Sequence, residues 1–504
     1  MKIPFLILVT LTMLLLIASQ GFGQIAFTNE SGLLNKPNFV SYVPKAVVDM
    51  NNDGLDDIIR AYSFANASTG SIYIEYQQPS GQFTSAYIGR TDLQLSMTVA
   101  DVDRNGHNDL IVGGQYDGVH MFKNTGSAFT QVNLDGPAIF MQAANLADIN
   151  NDGWLDYFAC HDEGLNQIWG NDKTGNLKAV YDWIDLATVP VSNNSGNYGS
   201  VWADFDNDGD LDLYVIKCSR YAMNDPEDPR RLNMLFVNDG SGHYTEQAAK
   251  YGLRPYAQGW TADFQDIDND GDLDCFISNH KGPSMLMEND GTGHFTDITT
   301  AAGIGDVGDP LQGLMRDFDN DGYVDILIAG NQSHLYHNNG NRTFTEINNA
   351  FDANTMGSFA IGDLNHDGFL DVYASYLGLS NSSGAAIPTD KLWLNTKNGN
   401  HFLSVSLKGT VSNPNGVGAR LTIYTNGQKQ IREVRAGEGY GVTNSLTQYF
   451  GLGTATTIDR LEVKWPSGII STIQKPQIDQ TLVVREDVCT KSICVPITIT
   501  KVAR

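Results

Sequence analysis

DFDNDGDLD, running from Asp204 to Asp212, is one of seven copies of a nine-residue element, and its recurrence decides the fold. The other copies are DMNNDGLDD from Asp49, DVDRNGHND from Asp101, DINNDGWLD from Asp148, DIDNDGDLD from Asp266, DFDNDGYVD from Asp317 and DLNHDGFLD from Asp363. Together they define the pattern D-x-[DN]-x-[DN]-G-x-x-D. Successive copies start 52, 47, 56, 62, 51 and 46 residues apart. A repeat near that length suits a propeller blade of four short strands.

The flanks of each copy supply the strands. Apolar stretches such as KAVV, SMTVA, GSVWA and SFAIG lead in, while DIIRA, DLIVGG, DLYVIK, DILIAG and DVYASY lead out. These are rich in the β-branched and aromatic residues that fit a pleated surface. Further along, MLFVNDGSGHYTE, MLMENDGTGHFTD and SHLYHNNGNRTFTE read as hairpins closed by Gly-containing turns. The last unit lacks its outer strand, whereas residues 25–34 (IAFTNESGLL) resemble the outer-strand stretches HYTEQAAKYGL and HFTDITTAAGI with no acidic loop before them. The N-terminal segment is therefore expected to complete the seventh blade, removing the exposed sheet edges of an open array. The fold class is all-β: a seven-bladed β-propeller with N-terminal strand closure, followed by a small C-terminal β-sandwich built from FLSVSL, ARLTIY, IREVRA, RLEVKW and TLVV.

Side chains at loop positions 1, 3, 5 and 9 can converge on a hard cation when Gly at position 6 lets the chain curl. The candidate metal ligands are Asp49, Asn51, Asp53 and Asp57 in the first loop; Asp101, Asp103, Asn105 and Asp109 in the second; and Asp148, Asn150, Asp152 and Asp156 in the third. They continue as Asp204, Asp206, Asp208 and Asp212; Asp266, Asp268, Asp270 and Asp274; Asp317, Asp319, Asp321 and Asp325; and Asp363, Asn365, Asp367 and Asp371. Position 12 carries no bidentate Glu, so these are not EF-hands. Up to seven structural Ca²⁺ ions are expected. The 504 residues carry 32 Lys and Arg against 58 Asp and Glu, a net charge of -26. That sign disfavours a nucleic-acid partner, and clustered cation ligands account for much of it.

Lys2 followed by the apolar run from Ile3 to Ala18 has the order of a secretory signal peptide over residues 1–23. No second such run follows. Cys489 and Cys494 could close a small disulfide in a tail over 487–504, and Cys160, Cys218 and Cys275 read as buried small hydrophobes.

The longest insertions fall in connections on the face opposite the acidic loops. They nominate Trp183, Arg220, Tyr221, Asn224, Arg230 and Arg231 as contacts for a protein or glycan ligand. Trp202 and Trp260 read as inter-blade packing. The stretch GEGYG from Gly437 lacks the strand-then-helix context of a dinucleotide site, and neither HExxH nor GxSxG occurs. An alternative is a calcium-dependent polysaccharide lyase or hydrolase using Asp162 with Glu163, or Asp225 with Glu227, as acid and base.

The repeats resemble the FG-GAP or VCBS-type calcium-loop repeats of integrin α-subunit propellers and secreted microbial proteins. NHFLSVSLKGTVSNPNGVGARLTIY, REVRAGEGYGVTNSLTQYFGLG and LEVKWPSG are similar to the ASPIC/UnbV domain that follows such propellers. The resemblance implies a propeller over 24–397 and an ASPIC/UnbV-like domain over 398–486. It also implies an extracellular, non-catalytic module for adhesion or ligand binding, its oligomeric state left open.

Overall fold

The computed structural model describes residues 25–62, 69–92, 94–219, 225, 227–376, 388–486 and 500–501. Seven antiparallel sheets of like topology follow one another along the chain and form the blades of the propeller. Blade 5 shows the pattern: an inner strand Gln258–Gln265, then Asp274–Lys281, Met285–Asn289 and an outer strand Phe295–Asp297, each antiparallel to its neighbour. Blade 7 takes its inner three strands from Met356–Gly362, Asp371–Tyr376 and Lys391–Asn395, and its outer strand from Phe27–Asn29 at the other end of the chain. Closure by the N-terminal strand stands as the repeat arithmetic requires.

Residues 401–485 together with Thr500–Lys501 form two four-stranded sheets. One orders Gln448–Gly453, His401–Lys408, Gln480–Arg485 and Thr500–Lys501; the other orders Gln428–Glu433, Arg420–Thr425, Arg460–Lys464 and Ile470–Gln474. Leu403, Val405, Leu421, Ile423, Leu461, Trp465 and Leu482 alternate inward from the two sheets and are buried between them. The same apolar cluster runs on into Val102 and Leu155 of blades 2 and 3, so the sandwich and the propeller share a core.

The sandwich also enters the ring. Residues 434–445, which include the GEGYG stretch, reach the inner strand of every blade. Val442–Thr443 pairs parallel with Lys45 and Ala46 of blade 1, and the Met97 N–H donates to the Gly441 carbonyl in blade 2. The Leu146 N–H donates to the Ala436 carbonyl in blade 3, and Tyr440 stacks 6.3 Å from Tyr198 of blade 4. Arg435 donates to the Phe264 carbonyl of blade 5, Arg316 of blade 6 bonds Glu438, and the Ser445 N–H donates to the Ile361 carbonyl of blade 7. A Cβ at Gly437 or Gly441 would strike the Ala144 or Leu95 carbonyl, so the glycines of this stretch let backbone lie against backbone.

The charges carried in with the plug are paired. Arg316 spans Asp263 (3.0 Å) and Glu438 (2.6 Å), while Arg435 spans Asp263 (3.2 Å) and Glu433 (2.9 Å). Burial alone would raise Glu438, but Arg316 and Arg435 hold its carboxyl below the usual range. Removing one member of such a buried network strands the others, at about 3 to 5 kcal/mol. Among the described residues, no helix is long and apolar enough to cross a membrane. The leader over 1–23 and the pair Cys489 and Cys494 lie outside the described residues, whereas Cys160, Cys218 and Cys275 are buried and free.

Candidate metal centres

All seven acidic loops lie between the first and second strands of their blades, and all adopt one backbone path. Its first element is a left-handed residue at position 4: Asn52, Arg104, Asn151, Asn207, Asn269, Asn320 and His366 have φ between 55° and 65°. Asn tolerates that region better than most residues, which accounts for its use in five of the seven loops. Gly at position 6 follows with φ between 86° and 103°. The double reversal turns the N–H groups of positions 5 and 6 back onto the carboxylate of position 1. In loop 6 the Asp321 and Gly322 N–H groups donate to Asp317 Oδ1 (3.2 Å) and Oδ2 (2.9 Å).

The four expected ligand positions separate into two roles. Position 9 is a buried clamp. Asp325 Oδ2 accepts from the Phe318 N–H at 2.9 Å and its Oδ1 from the Asn338 N–H at 2.9 Å. Asp57, Asp109, Asp156, Asp274 and Asp371 bond the equivalent pair of N–H groups in their own blades. Positions 1 and 3 line the inside of the curl, joined by position 9 in loops 2, 5 and 6 and by position 5 in loop 4. Three acidic side chains bring oxygens within 4.8 Å of one another in loop 2 (Asp101, Asp103, Asp109), loop 4 (Asp204, Asp206, Asp208), loop 5 (Asp266, Asp268, Asp274) and loop 6 (Asp317, Asp319, Asp325). These are the four loops with Asp at position 3. Loops 1, 3 and 7 carry Asn51, Asn150 and Asn365 there, whose Oδ1 atoms accept from the position-5 N–H at 3.0, 3.1 and 3.1 Å.

Loop 4 tests whether a cation fits. Asp204 Oδ1, Asp206 Oδ1 and Asp212 Oδ2 are buried and accept no hydrogen bond. Burial raises the Asp212 carboxyl to about 9; the Asn238 N–H opposes this, and Asp206, Asp208 and Asp204 add repulsion. A carboxylate set with spare buried oxygens and mutual repulsion is the donor chemistry of a hard divalent ion, which would answer both deficits at once.

A second set of side chains escaped the sequence reading although the sequence repeats it. The third strand of each blade ends in Gln77, Asn124, Asn171, Asn238, Asn289, Asn338 or Asn395, and in every blade its side-chain amide donates to the position-8 carbonyl of its own loop. In most blades that amide also reaches the position-2 carbonyl of the preceding loop. Asn338 donates to the Ile267 (2.8 Å) and Val324 (3.0 Å) carbonyls, and Asn395 to those of Phe318 and Leu370. In six blades the amide thus staples one acidic loop to the next; in blade 4 Asn238 donates instead to Tyr244 Oη, which donates on to the Ile149 carbonyl.

The C-terminal domain covers this face. Arg104 donates to the Thr410 and Ser412 carbonyls, Arg420 to the Asp204 carbonyl, and Asn398 and Asn400 to the Asp319 carbonyl. Cover is uneven. Asp317, Asp319 and Asn320 of loop 6 are at most 2% exposed, whereas residues 51–54 of loop 1 are all exposed and face a cleft of about 440 Å³ with Lys408 and Arg485 on its wall.

Of the six residues nominated on the opposite face, three belong to the described residues. Arg220, Tyr221 and Asn224 lie outside the described residues. Trp183 packs over Gly170 in the blade 3 and 4 core, Arg230 is paired in bidentate fashion with Asp228, and Arg231 is buried. Of the two alternative acid pairs, Asp162 and Glu163 accept from Gln142 and Tyr116, and in the other the Glu227 N–H donates to Asp225 Oδ1 at 3.0 Å. Trp202 meets Phe158 edge-on between blades 3 and 4, and Trp260 stacks on Tyr198 and His280, as inter-blade packing requires.

Comparison with known proteins agrees with this geometry. FG-GAP-like repeats match residues 49–112, 101–159, 148–215, 266–328 and 317–374, and an ASPIC and UnbV module matches residues 409–491. Cartilage acidic protein 1 of Xenopus tropicalis is 24% identical over 316 residues, 60% of this chain and 41% of that protein. The Homo sapiens protein of the same name is 27% identical over 255 residues, 47% of this chain and 37% of that protein, so the match spans about two fifths of these relatives. Among solved structures, an Agrocybe aegerita lectin that recognises non-reducing terminal N-acetylglucosamine aligns at 17% identity and a TM-score of 0.40, covering 74% of this chain and 86% of its own, too loosely to argue from. With the repeats matched over more than half of its length and the second module after them, the chain belongs to the FG-GAP-like repeat proteins that carry an ASPIC and UnbV domain.

Proposed function

We propose that the chain is a secreted or cell-surface calcium-binding propeller that acts as a non-catalytic binding or adhesion module for a protein or glycan. The observation that supports this most is the seating of the C-terminal domain. It lies over the acidic loops and fills the ring with residues 434–445. Bound Ca²⁺ would supply the positive charge that the loop carboxylates lack. Asp204, Asp206, Asp208 and Asp212 would hold one ion in loop 4, and the equivalent side chains would serve the other loops. The clamps and amide staples then hold neighbouring loops in register, so cation binding stabilises the whole ring rather than single blades.

The reading is tested by passing the calcium-loaded protein over glycan, matrix and cell-surface panels. Retention that persists in Asn51→Ala but falls in a double Arg220→Ala, Tyr221→Ala variant supports it. Absence of retention on every panel would leave a spacer in place of a receptor.

A further inference from the structure

Blade 6 departs from the others at one position inside its loop. The residue just before the stapling amide is Val237 in blade 4, Glu288 in blade 5 and Leu394 in blade 7, but His337 in blade 6, and no other blade places His there. The His337 side chain is buried at 8% exposure, with Nδ1 3.2 Å from Asp325 Oδ1 and 3.6 Å from Asp319 Oδ2. A ring nitrogen of His337 and one oxygen each from Asp319 and Asp321 lie within 4.8 Å of one another. Asp319 is 2% exposed and its Oδ2, 3.6 Å from His337 Nδ1, accepts no hydrogen bond, an expensive state for a buried carboxylate oxygen unless a cation completes it.

The donor set differs in kind from that of the other loops. Ca²⁺ takes oxygen ligands, whereas one imidazole nitrogen beside two carboxylates suits a borderline transition dication such as Zn²⁺ or Mn²⁺. We propose that Asp319, Asp321 and His337 hold a divalent transition ion in blade 6, in preference to Ca²⁺. Asn398 and Asn400 of the C-terminal segment donate to the Asp319 carbonyl at 2.7 and 2.8 Å and cover the site on that side, while Asp321 borders a cleft of about 340 Å³. The assignment goes beyond the calcium reading and does not depend on what the other six loops bind.

Pulsed electron paramagnetic resonance decides it, with Mn²⁺ as the probe. The full chain is stripped with chelator, reloaded with one equivalent of Mn²⁺ in tenfold excess Ca²⁺, and examined for ¹⁴N modulation of the bound ion. The expected result is retained Mn²⁺ with clear nitrogen modulation. In His337→Val, which copies blade 4, the modulation disappears and Mn²⁺ affinity falls at least tenfold. Wild-type Mn²⁺ without nitrogen modulation, complete displacement by Ca²⁺, or modulation that survives in the variant would each overturn the assignment. The first two would leave His337 as a neighbour of Asp325 and not a metal ligand. Should the variant fail to fold, the wild-type spectrum alone decides.

Discussion

Loops 1 and 6 share a nine-residue pattern, yet one is open and the other largely covered. In loop 6 the four expected ligands are all carboxylates, Asn398 and Asn400 bond the Asp319 carbonyl, and Gly451 of the C-terminal domain lies so close that any Cβ there would strike Asp317. In loop 1 Asn51 replaces one carboxylate, and residues 51–54 face solvent and the cleft beside Lys408 and Arg485. A motif sets the local curl; its neighbours set what an ion there contributes. A buried, charge-rich loop is poorly satisfied without its cation, whereas an exposed loop is hydrated either way.

The contrast breaks most decisively at position 3. Asp319→Ala should cost about 3 to 5 kcal/mol in denaturant unfolding of the metal-loaded protein, because it leaves the remaining buried charges unbalanced. Asn51→Ala, at the same position of loop 1, should cost less than about 1 kcal/mol. Equal losses would mean that burial does not separate the two loops. Next in size is Gly451→Val, expected to cost about 3 kcal/mol by forcing the C-terminal domain off loop 6. Hydrogen exchange should then show loop 6 amides losing protection while those of loop 1 are unchanged.

The amide staples sharpen the comparison from the other side. Asn338 and Gln77 are both buried, and each bonds carbonyls of two adjacent loops. Replacing either with Ala should cost about 2 kcal/mol through unpaired buried carbonyls, irrespective of exposure above the loop. A loss confined to Asn338→Ala would attribute the staple's effect to the cover rather than to the ring. The smallest effect is expected at Lys408, whose charge acts on Asp49 across the cleft. Lys408→Ala should tighten Ca²⁺ binding at loop 1 about twofold by calorimetry, the scale of a screened surface charge.

The ring was readable because it is written seven times. Spacing, flanking strands and the outer strand missing from the seventh unit set blade count and closure, and the loop pattern located the acidic residues of each curl. Interactions between elements distant in sequence were not readable. GEGYG resembles a loop in isolation, and only the inner strands of seven blades make it a plug. The terminal Asn of each third strand repeats as faithfully as the aspartates, but it hides inside an Asn-Asp-Gly turn signal, so its side-chain role surfaces only when adjacent loops are seen together. Asp at position 9 joins the acidic cluster in three loops and also accepts two backbone N–H groups in most blades, a clamp that the loop pattern alone does not reveal. Trp183 and Arg230 were nominated for their chemistry, and packing on Gly170 and pairing with Asp228 engage them locally.

Native mass spectrometry of the full chain before and after chelation, paired with its thermal melting curve, tests the central claim that the acidic loops hold divalent ions. The account predicts bound ions at least in the four loops with Asp at position 3, and a marked fall in melting temperature when they are removed. A protein whose mass and melting temperature are both unchanged by chelator and by added Ca²⁺ would contradict it.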